Sequence, residues 1–123
     1  MLVVDDDPGV REALRLILDD DYEVAEAADA GEAVDTVRAR PVDLVLLDIL
    51  LPEIDGIETL KELKAMAPAI PVIMLTGVRT VATTVAAMKL GAADYVTKPF
   101  QEDALLGLIR RALAPRLPSA RRI

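Results

Sequence analysis

Asp5, Asp6 and Asp7 stand in a row behind the apolar residues 2–4, and a fourth carboxylate, Asp48, closes the run "DLVLLD". A hydroxyl, Thr76, closes "PVIMLT", and an ammonium, Lys98, closes "ADYVTK" just before Pro99. Adjacent like charges repel, so the aspartate row reads as a solvated turn, a helix cap or a cation site. Taken singly, each of these residues is an ordinary polar end to an apolar segment. Asp48 is the exception, because four of the five residues before it are Leu or Val and Ile49-Leu50-Leu51-Pro52 follow it. A carboxylate inside so apolar a stretch is costly without a partner, and the available partners are Lys98 and a bound cation. A hard divalent ion would relieve the repulsion among Asp5, Asp6 and Asp48. Mg²⁺ typically keeps several waters and takes one or two carboxylates together with phosphate oxygens. Lys98 and the Thr76 hydroxyl could hold the other oxygens of a phosphoryl group. Asp48 is the candidate acceptor, since aspartate forms acyl phosphates. Catalysis would then consist of positioning and charge neutralisation.

Composition narrows the chemistry further. The 123 residues suit one domain. They contain no cysteine and no histidine. Thiol catalysis, disulfides and thiolate metal sites are excluded, as are imidazole bases and ligands. Any metal must be held by oxygen, which points to Mg²⁺, Mn²⁺ or Ca²⁺. The core must be aliphatic, because aromatic residues make up only 2% of the chain against 53% hydrophobic. Residues 1–109 carry nine basic side chains against twenty-one acidic ones, whereas residues 110–123 hold five arginines and no acid. The acidic body argues against nucleic acid or an anionic membrane as its partner. The basic end reads as a linker or tail over 115–123, after a single domain over 1–114. No secretory leader and no membrane span is evident, and a soluble cytoplasmic protein is expected.

The elements that must position these residues follow from patterning. Strands are predicted at Leu2–Val4, Tyr22–Ala25, Leu44–Leu47, Val72–Leu75 and Asp94–Val96. Three of them are continuous apolar runs, as in parallel strands covered on both faces. Between them lie helical patterns. Asp7 and Pro8 suit an N-cap and first turn, and Asp29-Ala30-Gly31-Glu32 has capping-box spacing. Pro41 stops that second helix. Asp55-Gly56 and Thr80 precede the third and fourth, Gly91 closes the fourth, and Pro115 limits the fifth. Strict alternation of five strands and five helices implies an α/β fold, a doubly wound parallel sheet. Ligands of such sheets bind beyond the carboxyl ends of the strands, where Asp5, Asp6, Asp48, Thr76 and Lys98 all fall.

The segments "VVDDD", "LVLLDILLPEIDG", "VIMLTG" and "GAADYVTKPF", in that order, resemble the receiver domain of bacterial two-component response regulators over residues 2 to about 113. The resemblance implies a flavodoxin-like (βα)5 fold with strand order 2-1-3-4-5. It implies Asp48 as the phospho-acceptor, and Mg²⁺ (or Mn²⁺) held by Asp5, Asp6, Asp48 and the backbone carbonyl of Leu50. Thr76 and Lys98 would act with the acceptor, Thr76 and Tyr95 would be the switch pair, and the Lys98–Pro99 bond would be cis. The phosphoryl donor would be a sensor histidine kinase or a phosphotransfer protein, since this chain has no histidine of its own. The product would switch the surface of the fourth helix, fifth strand and fifth helix, for contact with an output domain or target, or for homodimerisation. The stretch "TVATTVAAMKLGAADYVTKPF" looks most like receivers joined to sigma-54-type activators or small DNA-binding outputs.

Leu50 and Val78, two positions after the acceptor and after Thr76, are apolar and cannot orient a water, so self-dephosphorylation should be slow. Val81, Thr83, Thr84 and Val85 are mediocre helix formers, which suits the fourth helix to be a moving part. The competing readings are a Mg²⁺ phosphohydrolase with an aspartyl nucleophile and a plain interaction module. The first usually places its nucleophile on the first strand and needs a cap insertion for which there is no room. The second does not call for all five polar residues together.

Overall fold

The computed structural model describes residues 1–51, 56–77 and 81–114. Five strands alternate with five helices: β1 (Leu2–Val4), α1 (Pro8–Leu18), β2 (Ala25–Ala27), α2 (Ala30–Ala39), β3 (Val45–Asp48), α3 (Gly56–Met66), β4 (Val72–Thr76), α4 (Val81–Lys89), β5 (Asp94–Thr97) and α5 (Glu102–Leu113). The strands form one parallel sheet in the order β2-β1-β3-β4-β5. This is the doubly wound fold and the strand order anticipated above, with β3 at the centre.

Side-chain alternation along the strands divides the core in two. Val4, Val45, Leu47 and Met74 pack on the face covered by α2, α3 and α4, with Leu60, Leu63 and Ala87. Val3, Leu46, Ile73 and Leu75 pack on the opposite face with Leu14 and Leu18 of α1 and Leu105 and Ile109 of α5. Each fully buried Leu or Ile contributes about 1.5–3 kcal/mol relative to an exposed one, so both faces hold the sheet firmly.

Local signals set the helix ends. Asp7 accepts the Gly9 amide at 2.8 Å, with Pro8 in the first turn of α1. Asp29 accepts the Glu32 amide at 2.8 Å, while Glu32 reaches back to the Ala28 amide at 2.7 Å, one residue beyond the usual capping box. Gly91, at φ 105°, takes the left-handed conformation that ends α4. Asp55, Thr80 and Pro115 lie outside the described residues. The Lys98–Pro99 bond is cis.

The second strand departs from expectation. It runs over Ala25–Ala27, not Tyr22–Ala25. The apolar residues Tyr22 and Val24 pack with the α1–α5 core cluster, and the Tyr22 amide closes onto Leu18 at the end of α1. Pairing with Leu2–Val4 instead falls on Ala-Glu-Ala, whose composition carries little strand signal. Strand β3 is shifted one residue along from Leu44–Leu47, and β4 and β5 each run one residue further than predicted, so Asp48 and Thr76 belong to the ladders themselves.

Candidate functional site

The carboxyl ends of β1, β3 and β5 meet at one edge. Asp5 follows β1, its amide donating to Ala27 at the end of β2 at 3.1 Å. Asp48 ends β3 opposite Leu75. The Lys98 amide donates to the Thr76 carbonyl at 2.7 Å, continuing the β4–β5 pairing by one step. That step carries the Lys98 side chain back over the edge. Its Nζ lies 2.8 Å from Asp5 Oδ2 and 3.4 Å from Asp48 Oδ2. Asp5 is fully buried, Asp48 is 6% exposed and Asp6 is exposed.

The electrostatics of this group are unbalanced. Among the described residues, Lys98 is the one cationic side chain paired with Asp5 and Asp48. Burial raises the Asp48 pKa above the ordinary aspartate value, and the neighbouring Asp5 pushes it the same way. The Leu50 amide, 3.1 Å from Asp48 Oδ1, and Lys98 work against the rise. Burial works against the Lys98 charge, but its hydrogen bond to Asp5 and the charges of Asp48 and Asp5 outweigh it, and its pKa is raised. Lys98 thus serves Asp5 first, which leaves Asp48 undercompensated.

Asp5, Asp6 and Asp48 each place a carboxylate oxygen within 4.8 Å of the others. The donors are all hard oxygens, the set that suits Mg²⁺ or Mn²⁺ and not a thiophilic metal. Asp7 is not in this group; its carboxylate caps α1.

Thr76 and Tyr95 belong to the other side of the sheet. Asp48 pairs with Leu75, which packs toward α1 and α5, so the next residue, Thr76, turns toward α4. Its hydroxyl is buried and lies 3.5 Å from the Val96 carbonyl. A cavity of about 350 Å³ opens beside it, lined by Thr76, Thr84, Val85, Met88, Tyr95 and Thr97. Tyr95 is 46% exposed at its mouth. Leu50 is exposed, and Val78 lies outside the described residues.

Sequence reasoning missed two contributors. The first is the Leu50 amide that holds Asp48. The second is Arg11, whose NH1 donates to the Asp5 carbonyl at 2.7 Å while its Nε pairs with Glu26 at 2.9 Å. The four-residue spacing of Arg11 and Arg15 places both on one face of α1, but only the register of β2 brings Glu26 opposite them.

A family model described as the response regulator receiver domain matches residues 1–110. The chain belongs to the response regulator receiver domain family. The receiver is 46% identical over 115 residues to the transcriptional regulatory protein ZraR of Escherichia coli O157:H7, covering 93% of this chain and 26% of ZraR. It is 39% identical over 119 residues to the response regulator MprA of Mycolicibacterium vanbaalenii, covering 96% and 52% of the two chains. The receiver therefore spans about a quarter to a half of the length of these curated relatives. Among solved structures, the receiver domain of NtrX from Brucella abortus superposes with a TM-score of 0.88 at 39% identity, covering 92% of this chain and 97% of that one. The CheY-like receiver of Methanospirillum hungatei superposes with a TM-score of 0.87 at 34% identity. Among the described residues no helix is long and apolar enough to cross a membrane.

Proposed function

We propose that the receiver takes a phosphoryl group onto Asp48 from the phosphohistidine of a sensor histidine kinase or phosphotransfer protein. The observation that carries this reading is the undercompensated, nearly buried Asp48 at the end of the central strand, facing Lys98 and flanked by Asp5 and Asp6. A carboxylate oxygen of Asp48 forms the new O–P bond as the donor's P–N bond breaks, and that electron pair returns to the imidazole nitrogen. Asp5, Asp6, Asp48 and the Leu50 carbonyl would hold Mg²⁺, which supplies positive charge to the transferring phosphoryl oxygens when bound. Lys98 already sits at Asp48 and adds a second positive charge. The Thr76 hydroxyl would swing from Val96 toward the phosphoryl group, and Tyr95 would turn into the cavity that Thr76 lines. The chain thereby catalyses its own modification without being a conventional enzyme.

In this reading residues 1–114 are the receiver unit and 115–123 the linker or tail. The reshaped face of α4, β5 and α5 contacts an output domain or a second copy, and transcription is the output that the names of the ZraR relatives suggest. The protein works in the cytoplasm and leaves nucleic acid to its output partner.

Incubation with Mg²⁺ and acetyl phosphate followed by intact-mass measurement tests the proposal. A gain of one phosphoryl group, lost in Asp48→Ala, is the expected result. Unmodified wild-type protein would overturn it, and turnover of many phosphate esters would move the assignment to a phosphohydrolase.

A further inference from the structure

All four polar groups of Asp5 are held, by β2, by α1 and its N-cap, and by Lys98 beyond β5. Its amide donates to Ala27 of β2, its Oδ1 accepts the Asp7 amide at 3.0 Å, and its Oδ2 accepts Lys98. Its carbonyl has left the sheet ladder and accepts Arg11 NH1. That carbonyl belongs to a fully buried residue, where a missing partner is expensive. It is also the first peptide group of the bend that sends the Asp5 side chain inward and leaves Asp6 exposed. The rotation of this peptide sets how far the two carboxylates diverge.

Arg11 is itself fixed. Its Nε pairs with Glu26 Oε1, while Glu26 Oε2 takes Arg15 Nε at 2.7 Å. Glu26 also neutralises a positive charge that would otherwise stand near the cation site. A guanidinium can serve the Asp5 carbonyl and Glu26 together because its donors form a rigid planar fork, whereas an ammonium is a point charge on a flexible stem.

We infer that Arg11, anchored by Glu26, is a positioning residue that orients the Asp5–Asp6 peptide and thereby presets the two carboxylates for Mg²⁺. This rests on the reading of Asp5 and Asp6 as metal ligands. Partners that orient metal ligands are typically worth ten- to a hundredfold in affinity.

Mg²⁺ dissociation constants from amide-shift titration, with melting temperatures taken alongside, test the inference. Arg11→Met combined with Glu26→Gln leaves the net charge unchanged, so altered affinity reports on geometry. The expected result is Mg²⁺ binding weakened about tenfold in protein that still melts cooperatively. In Arg11→Lys, which keeps the charge but not the fork, affinity should stay below that of the wild type by several-fold. Asp5→Asn and Asp6→Asn are the reference variants. If these weaken Mg²⁺ binding while the double variant stays within twofold of wild type, Arg11 is only a clamp between α1 and β2 and the inference is wrong. If neither reference variant weakens binding, the metal-site reading itself fails.

Discussion

Asp48 carries its charge in nearly dry surroundings, with Lys98 closer to Asp5 than to it. Burial, reinforced by Asp5, holds its native pKa above the unfolded value. At neutral pH the ionised carboxylate therefore works against the native state. Asp48→Asn should raise the stability of the metal-free protein by about 1 kcal/mol, a Tm increase of roughly 3–6 °C in calorimetry. The sign with pH is definite. The gain is full above the raised native pKa, shrinks as pH falls through it, and vanishes below the ordinary aspartate range, where the folded and unfolded chains both hold the proton. A lower Tm for the variant at neutral pH would mean that pairing with Lys98 outweighs burial. The aspartate row separates just as clearly. Asp6→Asn should weaken Mg²⁺ binding about tenfold or more, whereas Asp7→Asn keeps the α1 cap and should leave binding nearly unchanged. Comparable losses in the two titrations would contradict that division.

At the scale of the element, Gly56 at the start of α3 lets that helix approach β3, the strand that ends in Asp48. Its amide donates to the Ile49 carbonyl at 2.9 Å. A Cβ there would meet the Asp48 carbonyl oxygen and stand 2.6 Å from Ile49 Cα, both of them backbone atoms that cannot rotate away. Gly56→Ala should destabilise the fold by about 1–3 kcal/mol and slow modification of Asp48, measured by urea unfolding and by the rate of phosphorylation from acetyl phosphate. Unchanged values in both would show that α3 can retreat at little cost. Elements whose signals are local were legible in the sequence: the Asp7 cap, the Asp29–Glu32 exchange and the Gly91 stop all rest on residues a few positions apart. The second strand was not, because Ala25–Ala27 owes its existence to pairing with β1 and carries no apolar run of its own. Losing that register also hid Glu26, and with it the contact from Arg11 to the Asp5 carbonyl.

For the whole molecule, the alternation of five strands and five helices made the doubly wound sheet readable, and the position of polar residues at strand ends pointed to the candidate site. The strand order came from the resemblance to receivers, since composition is silent on which edge β2 occupies. Thr76 and Tyr95 facing the opposite side of the sheet from Asp48 is a matter of register, visible only once Asp48 is paired with Leu75. Two predictions concern the assembled protein. With apolar Leu50 and Val78 at the positions that would otherwise orient a water, the phosphorylated protein should persist well beyond seconds at neutral pH. Loss of radiolabel within seconds would refute this. BeF₃⁻ with Mg²⁺ should shift the amide resonances of α4, β5 and α5 or raise the oligomeric mass, and no change in either would rule out that face as the output surface.

The sheet ends on β2 at one side, and that outer strand is guarded against strand addition. In β2 the Ala25 amide and the Ala27 carbonyl point inward to β1, so the Val24 carbonyl and the polar groups of Glu26 point outward. Arg15 NH2 already occupies the Val24 carbonyl at 2.9 Å, and the outward residue of this three-residue strand is a charged one gripped by two arginines. A short, charged and covered edge is a poor template for another chain. The clamp that steadies Asp5 therefore also guards one flank of the molecule against edge-to-edge aggregation. Breaking it should show first as a loss of solubility at high concentration, before any loss of helix content.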